Sequence, residues 1–223
     1  METKNVLSQS QIEEEIKLAE IEKRPAFFKG KVLESLILNE RVIETALDLE
    51  AAIILGPISL EGATIKGDFN LNRTITRGVF YFGSGILLGS LNLEDAQSMS
   101  GINLVGAKIE GSLNCKRLKM SGYLSLAKSQ IRGSLELSNI EIKDSYGGGL
   151  TIKGDLYLRE ASIVGFVNLE NSFIEGTSDF MSVFIGKNLN LKDAKIGNFL
   201  ILKQANIREG INLENTKYKE IIK

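Results

Sequence analysis

Apolar residues in this chain recur in pairs two positions apart, and the pairs return at a fixed interval. The clearest unit is GSLNLEDAQS at 89–98; GPISLEGATI (56–65), GSLNCKRLKM (111–120) and GDLYLREASI (154–163) follow the same plan. The consensus G-x-L-x-L-x-x-A-x-I-x closes after 11 residues. Such a period marks a repeat architecture in which each unit buries its apolar face only against its neighbours. Within a unit, L-x-L and A-x-I each alternate with period two, as short strands with one buried face do. The x-x and x-G pairs between them read as corners, and glycine suits a corner because it accepts positive φ.

The first inward slot runs from Leu36, Leu47, Ile58 and Phe69 to Leu200 and Ile211, and the second from Leu38 and Leu49 to Leu202 and Leu213. About seventeen units fit, with one residue deleted near 144. In that place Ser145 and Gly147 replace the leucine pair, and Leu150 and Ile152 resume the small and isoleucine slots.

No strand here is long enough to stand alone, so the units must stack as coils. Two units make a coil of about 22 residues with four short faces. The outward residues then fall into two series. One reads Asp48, Asn70, Asn92, Asn114, Glu136, Tyr157, Asp179, Ile201, and the other Ile37, Ser59, Tyr81, Asn103, Ser125, Tyr146, Asn168, Asn190, Asn212. Asparagines stack as amide ladders do, and Glu170, Lys192 and Glu214 alternate in sign, which favours adjacent strands. The predicted fold is all-β: a right-handed parallel β-helix (solenoid) of about eight coils, roughly 40 Å long. It occupies 34–218, between an N-terminal helical cap over 1–33 and a C-terminal tail over 219–223. In the cap, Ser10-Gln11-Ile12-Glu13 fits a capping box. Ile12, Ile16, Ala19 and Lys23 follow helical spacing over roughly 9–23, and Pro25 stops the helix.

With Leu and Ala inward and Asn outward over about 34–218, the chain resembles the pentapeptide-repeat proteins. That resemblance implies a four-sided right-handed β-helix. The 11-residue unit departs from the family's five-residue unit, and a three-sided, bactofilin-type helix is the alternative cross-section. The family also includes topoisomerase-directed DNA mimics, which implies that role as one alternative.

Composition narrows the chemistry. The chain has 27 Lys+Arg against 28 Asp+Glu, no His and a single Cys. A binder relying on phosphate neutralisation carries a basic excess, so no nucleic-acid partner is expected. The commonest general base is absent, and one cysteine forms neither an intrachain disulfide nor a multi-cysteine metal site. No apolar leader or membrane-length apolar run is present, so a cytoplasmic location without membrane association is expected. Gly83-Ser84-Gly85 and Gly147-Gly148-Gly149 resemble phosphate loops, but no helix follows either. No cofactor, metal or catalytic residue is expected, and Cys115 sits in an inward Leu slot as a small hydrophobe.

Outward carboxylates such as Asp155, Glu160, Glu170 and Glu175 are interleaved with Lys and Arg. They keep a small carbohydrate-active enzyme as a second alternative. The leading expectation is a non-catalytic scaffold for protein–protein interaction or self-assembly, with a homodimer through the C-terminal end. Two breaks in the repeat are candidate partner-binding places. One is the Asp144–Gly149 segment, with Asp144 and Tyr146. The other is GVFYFGSG at 78–85, where Val79 and Tyr81 face outward beside inward Phe80 and Phe82.

Overall fold

The computed structural model describes residues 6–143, 145–147, 150–152 and 155–223; from 143 to 154 only strand backbone is described. One coil runs through Leu47–Asp48, Ile53–Ile54, Ile58–Ser59 and Thr64–Ile65, then returns 22 residues on at Phe69–Asn70. These four strands belong to four parallel sheets, here numbered I to IV in the order the chain visits them. Sheets I, II and III have nine strands and sheet IV has eight. The register is the expected one: Leu47, Phe69, Leu91, Leu113 and Leu135 stack in sheet I. The solenoid has about nine turns rather than eight. Ala26–Phe27 already pairs with Leu47–Asp48 as the first rung of sheet I, and Glu220–Ile222 adds a ninth rung to sheet III.

The L-x-L and A-x-I side chains fill one continuous core. Its shape is balanced locally. Phe69 and Phe80 meet edge to face at 5.9 Å, and Phe82 stacks beside Phe80 at 6.4 Å. Gly85 takes the small slot below them, where a Cβ would lie 2.4 Å from the Phe82 ring.

Corners and glycines divide their work differently from the sequence expectation. Positive φ falls on the second residue of the x-x corner, for example Glu40, Ala51, Arg73, Asp95 and Lys128 at 56–59°. A β-turn hydrogen bond closes each such corner, as from Ala52 N–H to the Leu49 carbonyl at 2.9 Å. The outward asparagines hold it: Asn70 Oδ1 accepts from Asn72 N–H at 3.1 Å, and Asn92 and Asn114 do the same for Glu94 and Lys116. These are Asx turns, so each asparagine serves its own corner as well as the ladder. The repeated glycines mostly lack positive φ, Gly122 and Gly210 excepted. A Cβ at Gly67 would fall 2.7 Å from Ala46 N, and at Gly78 2.5 Å from Pro57 N. Glycine is required there because successive coil backbones touch, not because φ is positive.

The segment after Lys143 is not a repeat unit. Ser145–Gly147 and Leu150–Ile152 pair antiparallel with each other. The solenoid strands on either side skip over them: Leu124 pairs with Leu156, Leu135 with Val167 and Glu141 with Phe173, each 32 residues on. An extra ten residues leave the coil as a hairpin that closes its own backbone bonds. The placement of Ser145 and Gly147 in leucine slots, and of Leu150 and Ile152 in the next pair, is therefore overturned. The outward series exchange their second halves. Sheet I carries Asp48, Asn70, Asn92, Asn114, Glu136, Asn168, Asn190, Asn212, and sheet III carries Ile37, Ser59, Tyr81, Asn103, Ser125, Tyr157, Asp179, Ile201.

Helix α1 spans Gln9–Glu22. Its N-cap is Ser8, two residues before the expected Ser10, with Gln11 Oε1 accepting from Ser8 N–H at 3.0 Å. It ends in a left-handed Lys23 (φ 54°), ahead of Pro25. Ile12, Ile16 and Ala19 are buried on the first coil. The helix also seals the sheet edges. The Gln9 amide bonds both backbone groups of Ile37 (2.7 and 3.2 Å) on sheet III. Glu15 accepts from Phe27 N–H on sheet I, and Glu20 from Glu44 N–H beside sheet IV, both at 3.0 Å. Val6–Leu7 covers sheet II as a parallel strand. Unpaired edges invite association, and this end presents each sheet with a partner. Among the described residues no helix is long and apolar enough to cross a membrane.

Candidate functional site

Departures from the repeat converge on one corner, where sheet II turns into sheet III. The inward isoleucine slot of sheet II reads Ile54, Thr76, Ser98, Met120, Ile142. Ser98 Oγ donates to the Ser100 carbonyl at 2.8 Å, whereas the buried Thr76 hydroxyl has no partner among the described residues. An open cavity of about 230 Å³ lies beside this slot, lined by Ser98, Met99, Met120 and Ser121 among others. In the next part of the corner Gly122 has φ 95°, and the Tyr123 ring covers Gly101, where a Cβ would lie 2.6 Å from Cε1. One coil further on the hairpin leaves from the same corner.

Two of the four sequence candidates fall along this corner, and a third lies on the hairpin that leaves it. Val79 occupies it before the third rung of sheet III, and Tyr81 is the next outward residue; both are half-buried. Tyr146 lies on the hairpin strand Ser145–Gly147, and Asp144 lies outside the described residues. Thr76, Ser98 and Tyr123 were not singled out from sequence. Their signal was present, since each breaks a slot or corner that its neighbours obey.

The outward face of sheet III is more enclosed than expected. Ser125 is only 8% exposed, because it sits in register between Asn103 and Tyr157. Asp179, 3% exposed, accepts from Arg159 Nη2 at 2.8 Å and from Met181 N–H at 2.9 Å. Asp155 accepts from Thr177 N–H at 2.6 Å and from the Tyr157 hydroxyl at 2.5 Å. Burial first, and the Asp155 bond second, push the Tyr157 phenol up to about 12. Both buried carboxylates are thus held by donors from two residues each. Glu160 faces Lys128 at 3.8 Å, and Glu170 accepts from Asn190 at 3.4 Å, on other corners. Ser84 is a left-handed turn residue (φ 53°) between Gly83 and Gly85. Cys115 is buried, which pushes its thiol well above the ordinary range. Among the described residues no three metal-ligating side chains cluster.

A second surface is the last coil. The final strands of sheets IV and I, Asn206–Ile207 and Ile211–Asn212, carry no further strand among the described residues. Ile211 is 41% exposed, and Ile207, Leu213 and Ile221 are only partly covered. Outward Phe184 and Phe199 are instead shielded by cations, Arg208 at 5.3 Å and Lys219 at 6.0 Å. No protein-family model matches the chain, and no curated protein or solved structure matches it.

Proposed function

We propose that this chain is a non-catalytic β-helical scaffold for interaction and self-assembly that pairs with its own copy through the open coil end. The observation that carries the reading is the contrast between the two ends. Three side chains of α1 and one added strand close the sheets at the N-terminal end. At the other end, two sheets present open strand edges beside half-covered isoleucines and leucines. The N-terminal end is largely covered, so two copies meet open end to open end, as a two-fold dimer. The four-sided coil supports a likeness to pentapeptide-repeat proteins over a three-sided bactofilin-type helix. Against the enzyme alternative stand Asp155 and Asp179, whose bonds hold the fold. Against a DNA mimic stand the mixed charges of Glu94, Lys116, Glu170 and Lys192 beside the asparagine ladder.

Sedimentation velocity at micromolar concentration tests the assembly. The expected result is a dimer that Ile211→Glu converts to a monomer with an unchanged far-UV circular dichroism spectrum. A wild-type chain that sediments as a monomer throughout would remove the self-pairing reading.

A further inference from the structure

Sheet III carries a surface unlike the rest of the rod. Over its third to fifth rungs the outward and flanking positions read V-x-Y-x-G at 79–83, G-x-N-x-V at 101–105 and Y-x-S-x-A at 123–127. None is charged. The same three coils carry Asp68, Glu94 and Lys116 along sheet I, and Lys108, Glu110 and Arg132 along sheet IV. The aromatic groups are gathered. Tyr123 leans back over Gly101, towards the coil that bears Tyr81. Burial, and to a smaller extent the nearby Tyr81, raise the Tyr123 phenol above its ordinary value.

This plateau adjoins a groove of about 400 Å³, which shares Gly83, Asn103 and Val105 with it and adds Glu40, Glu61 and Ser84. The acid side chains lean along the rod into that groove. Glu40 Cγ lies 3.5 Å from the position of a Cβ on Gly62, and Glu61 Oε1 lies 3.7 Å from one on Gly83. Among the described residues neither carboxylate has an ion pair or a side-chain hydrogen bond. Asn103 Oδ1 is taken by Val105 N–H at 3.0 Å, which leaves its amide N–H groups to donate.

We infer that this plateau and groove form a binding platform for a neutral oligosaccharide. Size argues for a small ligand. Three rungs by five residues is roughly 10 by 15 Å, far below the ~800 Å² per partner of a stable protein interface. Chemistry selects the class. A sugar ring joins an apolar C–H face to an edge of hydroxyls. The site sets matching groups side by side: tyrosine rings and small uncharged residues, then carboxylate and hydroxyl acceptors with an amide donor. A basic peptide would use the carboxylates but lay most of its length on an uncharged surface. The platform is independent of how copies assemble.

The test is titration of the full chain with hexasaccharides of β-linked glucose (1,4 and 1,3), N-acetylglucosamine and xylose, with oligolysine as the cationic comparison. The chain has no Trp and five Tyr, so tyrosine fluorescence reports on the site directly. Binding of at least one hexasaccharide is expected. Tyr81→Ala should weaken it about tenfold, equivalent to ~1.4 kcal/mol, and Glu61→Gln severalfold. Tyr218→Ala, at an exposed site on the last coil, should leave it unchanged. Circular dichroism checks that each variant is folded. Failure of all four sugars at millimolar concentration overturns the inference. So does binding that folded Tyr81→Ala retains in full, or oligolysine binding in preference to every sugar.

Discussion

Ala51 and Gly67 sit two units apart and answer to opposite constraints. Ala51 is exposed and left-handed at φ 56°, a conformation that costs an L-residue about 1–2 kcal/mol. Gly67 has no such φ, but its missing Cβ leaves room for the Ala46 backbone. Ala51→Gly should therefore raise the unfolding free energy by about 0.5–1 kcal/mol, after the added entropy of glycine is set against the relieved strain. Gly67→Ala should lower it by about 1–3 kcal/mol through overpacking. Urea midpoints at constant m-value check both signs. The period of the repeat was plain at this scale, and the inward leucines followed from it. The reason for the glycine was not, because a contact between coils and a positive φ leave the same one-letter trace. The low exposure of Ser125 was hidden for a related reason. Alternation told that it faces outward, but not that Tyr157 would be its neighbour across ten inserted residues.

At the scale of elements, α1 was legible from its spacing, and Ile12, Ile16 and Ala19 are buried as that spacing requires. Its N-cap was misplaced because Ser8 and Ser10 both suit the position and only the backbone decides between them. Its second task was hidden. Gln9, Glu15 and Glu20 look like ordinary solvated residues of a helix, yet each meets backbone groups of a different sheet. Gln9→Ala would leave the Ile37 N–H and C=O without a protein partner. Two lost hydrogen bonds at a partly wet edge correspond to about 1–2 kcal/mol. The expected outcome is that loss in equilibrium unfolding, together with faster amide exchange at Ile37. Unchanged exchange there would show that the amide is not holding the edge.

Across the whole molecule, stability is a sum of neighbouring coils, and a break in the middle separates them. Leu126 is fully buried at mid-rod, whereas Gln130, four residues on, is exposed on sheet IV. Leu126→Asp places an unpaired charge in the core and should yield insoluble chain. Gln130→Asp should express and melt like the parent, within about 0.5 kcal/mol. Soluble recovery and thermal melts of the two variants check the inside–outside register. The large-scale fold was readable because twenty-two-residue offsets repeat so often. The candidate corner was only half readable, since the eye passes over Thr76 and Ser98 as conservative exceptions.

The hairpin between Lys143 and Asp155 shows what this architecture does with surplus length. Ten additional residues entered the chain, and Leu135 still found Val167 and Glu141 still found Phe173. Pitch is held by the rungs, so a bend between rungs can lengthen without a phase error downstream. The bend between sheets II and III is thus a natural port, where evolution or an engineer can graft a new loop while the spine on both sides keeps time.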